Sequence, residues 1–150
     1  MTVPQPGWTI REARAGDSLL IATHRYYRHE PQADVDAYAD WLAPRIERGS
    51  YVGFIAVRDG RPIAGAGAVL LDWGPTRGEP GGTRARIVNV FTEAAHRRQG
   101  LAGALLDRVM AACDAQGIRV FNLAASSDGA PIYRALGFVP YENEMILRRG

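Results

Sequence analysis

Apolar and polar positions change their period several times along the chain, and each change marks an element. WTIREAR (Trp8 to Arg14) alternates with period two, as a half-buried strand does. AGDS follows, where Asp17 or Ser18 can cap a helix whose one face carries Leu19, Leu20, Thr23, Tyr26 and Tyr27. Beyond Pro31, Asp34 can cap a second helix bearing Val35, Tyr38, Trp41, Leu42 and Ile46. Pro44 should kink or end that helix early, and Gly49 closes the region. YVGFIAV and PIAGAGAVLL read as antiparallel strands joined at Asp59-Gly60, a two-residue hairpin signal. The Gly- and Pro-rich DWGPTRGEPGGTRA (Asp72 to Ala85) reads as a mobile loop, long enough to suggest a role. Arg86 to Thr92 is nearly continuous in apolar character, the pattern of a central strand covered on both faces. Gln99 to Ala115 is the clearest helix, with a stripe of Leu101, Leu105, Leu106, Val109, Met110 and Cys113 and Gly117 to end it. RVFNLAA is a further strand, SSDGAPIYRAL a short helix closed by Gly137, and FVPYENEMILRR one or two closing strands. The order predicts an α/β (α+β) fold with a mixed, largely antiparallel central sheet of six to seven strands and about four helices on both faces.

Composition narrows the function. A length of 150 residues suits a single domain spanning 1–150. The net charge of +2 argues against a dedicated nucleic-acid binder, which carries a basic stripe. All 18 basic residues are arginine, so no lysine is available for a phosphate loop or for acylation. Cys113 is the one cysteine and lies on the buried stripe, which favours core over nucleophile. His24 and His29 fall on different helical faces, and no metal-ligand spacing appears, so no metal is expected. No window approaches the ~18 apolar residues of a membrane span, and the start MTVPQPGWTIREA has no apolar run of a secretory signal. A cytoplasmic protein without membrane or nucleic-acid partners is the expectation.

HRRQGLAGALL (His96 to Leu106) is where chemistry enters. A helix opens there with two arginines and a glycine, directly after the strand RIVNVFT. The first turn of a helix leaves N–H groups unpaired at the positive end of the macrodipole. An oxyanion such as a diphosphate satisfies both. Gly100 and Ala102 leave room for its oxygens to approach the backbone, and Arg97 and Arg98 add charge. The stretch is neither a phosphate loop of the G-x-x-x-x-G-K type nor a dinucleotide fingerprint. Gly65-Ala66-Gly67 lies inside a strand and reads as close strand packing.

The R-x-x-G-x-A of Arg97 to Ala102, after a strand ending NVFTE, resembles the first motif of the GNAT superfamily of N-acetyltransferases. SSDGAPIYRALGF resembles a later motif of that family, in which a tyrosine is followed by x-x-x-Gly-Phe: Tyr133, Gly137 and Phe138. FIAVRDGRPIAGAGAV resembles its central hairpin and IREARAGDSLLIA its start, so the likeness covers essentially the whole chain. The resemblance implies acetyl-CoA as co-substrate, lying between the strand at 86–92 and that at 119–124. It implies that the N–H groups of Arg97, Arg98, Gln99, Gly100, Leu101, Ala102 and Gly103 take the diphosphate. The pantetheine arm would pair with Val90 and Thr92, a backbone N–H near Phe91 would polarise the thioester, and Tyr133 would protonate the departing thiolate. Where many members carry asparagine before the tyrosine this chain has Ser126, which still offers one hydrogen bond.

The acceptor implied is a primary amine on a small molecule or peptide, attacked without an acyl-enzyme, and a homodimer is an open alternative. The base is open too: Glu93 stands just past the strand, with Glu30, Asp72, Glu142 and Glu144 as further candidates. A non-catalytic acyl-CoA sensor of the same fold is the alternative function, and a toxin-like acylation of charged tRNA fits the low charge poorly.

Overall fold

The structure, a computed structural model, describes residues 7–28, 31–141 and 143–150. Its strands are β1 (Thr9–Glu12), β2 (Tyr51–Arg58), β3 (Arg61–Asp72), β4 (Thr83–Thr92) and β5 (Val120–Asn122), side by side in chain order. The first four pair antiparallel; β5 joins β4 in parallel. The helices are α1 (Ser18–Arg25), α2 (Gln32–Glu47), α3 (Leu101–Ala115) and α4 (Ala130–Ala135).

Strand periodicity divides the core into two layers. From β2, Phe54 and Ala56 face α3, where they meet Leu101, Leu105, Leu106, Val109 and Cys113. Tyr51 and Ile55 face the other way, toward Ile21 of α1 and Leu42 of α2. Tyr133 of α4 and Leu136 just after it pack at the margin of the α3 layer. Met110 of the expected stripe is only half-buried, while Cys113 is fully enclosed and burial pushes its thiol up to about 11. Both facts fit an inert core cysteine.

Several expectations need correction. Among the described residues five strands form, not six to seven: those after Phe138 belong to no strand, and Val139, Tyr141, Met145, Ile146 and Leu147 are exposed. Pro140 has no N–H for a ladder, and the consecutive Met145-Ile146-Leu147 offers no single apolar face. β5 is likewise shorter than RVFNLAA. The segment at 72–85 is mostly hairpin: Asp72 pairs with Thr83, and the N–H groups of Trp73 and Gly74 both donate to the Gly82 carbonyl at 2.9 and 3.0 Å. Pro44 does not end α2, which runs on to Glu47, because it removes one N–H only in the last full turn. Asp34 lies inside α2 rather than capping it. Asp17 precedes α1, but its carboxylate accepts from Arg11 at 2.8 Å through both oxygens and from the Arg14 N–H at 2.8 Å, not from the helix. A 3-10 turn at Ala15–Asp17 leads into α1, whose buried face is Ile21 and Ala22, with Leu19 and Tyr27 exposed.

Candidate active site

Two features of β4 make the site. The first is a bulge: Gly65 pairs with Phe91 and Gly67 with Val88, so Asn89 and Val90 together stand opposite Ala66. Asn89 takes φ +59°, a left-handed backbone that asparagine tolerates better than other side chains. Its Nδ2 donates to Tyr38 Oη at 2.9 Å and Tyr51 Oη at 3.1 Å, and its Oδ1 accepts from Arg25 at 2.9 Å. Burial raises the Tyr51 phenol's pKa, so it stays protonated. The Tyr51 ring crosses directly over Gly67, where any Cβ would overlap its hydroxyl. That is the close packing which Gly65-Ala66-Gly67 announces.

The second feature is a parting of strands. β4 and β5 pair at Arg84–Val120, Ala85–Phe121 and Arg86–Asn122, and no further. Beyond Arg86 a cleft of about 420 Å³ opens, lined by Ile87 to Val90 on one side and Leu123, Ala124, Ser126 and Tyr133 on the other. The end of α1 and the turn after it (His24 to Tyr27) supply the remaining wall. A larger hollow, about 670 Å³, lies along the free edge of β5 and shares Tyr133 with the cleft. The cleft beside the bulge brings His24, Asn89, Ser126 and Tyr133 together and is the better place for chemistry.

The amide-rich turn sits at the end of β4. After a 3-10 turn at Ala94–His96, Arg97 Nε donates to the Thr92 carbonyl at 3.2 Å, which ties the loop to the strand. Arg98 (φ +62°) and Gly100 (φ +78°) are both left-handed. The first helical bond of α3 runs from the Ala104 N–H to the Gly100 carbonyl at 3.1 Å. The N–H groups of Leu101, Ala102 and Gly103 therefore have no partner inside the helix. Arg58, at the end of β2, steadies the turn: it donates to Gln99 Oε1 at 3.2 Å and lies 3.4 Å from His96 Nδ1. Reading YVGFIAV as a hairpin strand gave no hint of that brace.

The remaining predicted residues divide. Tyr133 is half-buried, and burial raises its pKa. A Cβ on Gly129 would come within 2.9 Å of its ring, so glycine there makes room for it. Ser126 Oγ accepts from the Gly129 N–H at 3.2 Å, which sets the turn before α4. Glu93 is held by Arg61, 3.0 and 3.1 Å from its two oxygens. Asp72 ends β3 opposite Thr83, at the far end of that strand pair from Glu93, Glu144 lines the larger hollow, and Glu30, His29 and Glu142 fall outside the described residues.

His24, like Arg25 and Asn89, was not among the predicted site residues. His24 stacks on Phe91 with ring centroids 4.3 Å apart and lines the cleft. Burial lowers its pKa, and the charge of Glu93 opposes that in part. The only available signal was its place on the last turn of α1. Among the described residues no group of three or more His, Cys, Asp or Glu is placed to hold a metal ion, and no helix is long and apolar enough to cross a membrane.

β4 thus carries a bulge, parts from its parallel neighbour and is followed by a turn of free amides. The Acetyltransferase (GNAT) family model matches residues 17–138, and the chain belongs to that family. No curated protein sequence matches it. Among solved structures, a GCN5-related N-acetyltransferase from Ralstonia eutropha JMP134 is 29% identical, with a TM-score of 0.86 over 96% of this chain and 100% of that one. A predicted acetyltransferase from Clostridium acetobutylicum, solved with acetyl-CoA, is 26% identical, with a TM-score of 0.87 over 94% and 96%. A glucosamine-6-phosphate N-acetyltransferase from Arabidopsis thaliana shares the fold at 16% identity, with a TM-score of 0.72 over 94% and 97%.

Proposed function

We propose that the chain is an acetyl-CoA-dependent N-acetyltransferase acting on the amine of a small molecule by direct attack. The observation that carries this reading is a coincidence in space: the β4–β5 opening runs along the bulged strand whose end the amide-rich turn of α3 is tied to. Acetyl-CoA supplies the acetyl group, activated as a thioester. The free N–H groups from Arg98 to Gly103 suit its diphosphate, with the guanidinium groups of Arg97 and Arg98 adding charge. The main chain at Val90 and Thr92 offers the pantetheine amides an edge to pair with, and Ser126 lies across the cleft. A backbone N–H near Phe91, beside the bulge, polarises the thioester carbonyl.

His24 takes the amine proton. Burial keeps its imidazole neutral and therefore able to accept. Glu93, fixed by Arg61, supports His24 at one remove by favouring the charge that forms on it. The amine nitrogen then bonds to the acetyl carbon as the carbon–sulfur bond breaks. Tyr133, kept protonated by burial, donates to the departing thiolate.

Thermal denaturation with ligand tests the reading. Acetyl-CoA at 100-fold over its Kd adds about 2.7 kcal/mol, which raises Tm by roughly 5–10 °C for a chain of this size. CoA should do nearly as well, since it keeps the diphosphate and the pantetheine. No shift with either compound would refute the proposal, and release of free thiol in the presence of an amine would complete its support.

A further inference from the structure

Resting on the acetyltransferase reading, we propose that the acceptor is a small amine that also carries an anionic group, a carboxylate or a phosphate, held by Arg25. The remaining wall of the cleft, beside Ile87 to Val90, comes from His24, Arg25, Tyr26 and Tyr27. Among the described residues no Asp or Glu lines it. Glu93, the acid near His24, is already paired with Arg61.

Among the described residues Arg25 is held in place without a carboxylate partner. One nitrogen donates to Asn89 Oδ1 at 2.9 Å, and the guanidinium carbon lies 4.5 Å from the centre of the Tyr38 ring and 5.6 Å from that of Tyr26. Those contacts fix the planar head. They use one of the five N–H donors of an arginine. The ion pairs of the described residues are Arg11–Asp17 and Arg61–Glu93, so Arg25 has no carboxylate partner among them. An oriented guanidinium with free donors, attached to the bulge residue beside the reacting amine, is a receptor for a planar or tetrahedral oxyanion.

The same geometry disfavours a polycation. Such an acceptor would meet a fixed like charge and no acid among the described residues of the wall. Tyr27 and Phe91, with ring centroids 5.2 Å apart, give the acceptor's body an aromatic surface beside His24.

The test measures kcat/KM with acetyl-CoA on matched acceptors: phenylalanine against phenylalaninamide, glucosamine 6-phosphate against glucosamine, and kanamycin as a polycation. In at least one pair the anionic member should be favoured about tenfold, the scale of one charge-assisted hydrogen bond in a partly solvated site. The pair that responds identifies carboxylate or phosphate as the group recognised. Arg25→Gln keeps a donor for Asn89 but removes the charge, and should bring the ratio within that pair close to one. The inference is overturned if neither anionic member is favoured, if kanamycin is the best acceptor, or if the ratio survives in Arg25→Gln. Should no amine be acetylated at all, the acetyltransferase reading fails, and calorimetry of the same pairs on the CoA-loaded protein decides this inference separately. Equal affinity within both pairs would overturn it; tighter binding of an anionic member, lost in Arg25→Gln, would support it.

Discussion

Asn89 is the residue on which the shape of the cleft turns, and replacing it by glycine and by alanine separates its two contributions. Both substitutions remove the bonds to Tyr38, Tyr51 and Arg25, of 2.9, 3.1 and 2.9 Å. A typical internal hydrogen bond contributes about 1 kcal/mol net. Two of these are part-buried and the Arg25 bond is exposed, so their loss amounts to about 2 kcal/mol. Glycine meets the left-handed backbone without strain but costs a further ~0.5–1 kcal/mol through its greater freedom when unfolded. Alanine avoids that cost but takes on ~1–2 kcal/mol for a left-handed L-residue. The glycine variant should therefore lose about 3 kcal/mol, and the alanine variant ~0.5–1 kcal/mol more. For a chain of this length the glycine variant should melt roughly 6–12 °C below the parent, with alanine a further ~2 °C lower. Urea denaturation at pH 7, read with acetyl-CoA affinity by calorimetry, checks both numbers. If alanine relieves its strain by flattening the bulge, it should also bind acetyl-CoA more weakly than glycine does. An alanine variant as stable as the glycine variant would refute the claim that φ +59° is imposed on this position by the sheet.

Tyr133→Phe removes the proton for the leaving thiolate while leaving the ring in place, so kcat should fall by roughly 10²–10⁴ with CoA affinity little changed. A fall in affinity alone would make Tyr133 a wall of the cleft and not an acid. The pH profile of kcat/KM should report His24: burial lowers its pKa below the ordinary 6.5, so the neutral base persists and activity is retained as pH falls through that value, with the acid limb lying beneath it. Glu93 pulls in the opposite direction, so Glu93→Gln should move the limb to still lower pH; an upward movement would contradict the arrangement.

What could be read from the sequence, and what could not, follows from where each determinant sits along the chain. The β2–β3 turn is local: Asp59 and Gly60 adopt φ +52° and +75° because two adjacent residues carry the whole signal. The start of α3 is local in the same sense, since Arg97 to Gly103 contain both the glycine and the charges that shape it. The bulge in β4 is not. A bulge shows in a sequence as a break in alternation, and RIVNVFT is apolar on both faces, so an added residue breaks nothing visible. Its cause lies in Tyr38 and Tyr51, on other elements, and in Gly67, which admits the Tyr51 ring. His24 reaches the cleft only because α1 packs across β4 onto Phe91, and Glu93 loses its freedom only because β3 begins with Arg61 beside it. The cradle proposed for the acyl donor is thus encoded in one continuous stretch. The groups proposed to face the acceptor (His24, Arg25 and Asn89) are assembled from α1 and β4. A sequence pattern can therefore suggest an acyl donor, while a proposal for the acceptor's charge has to start from the folded wall.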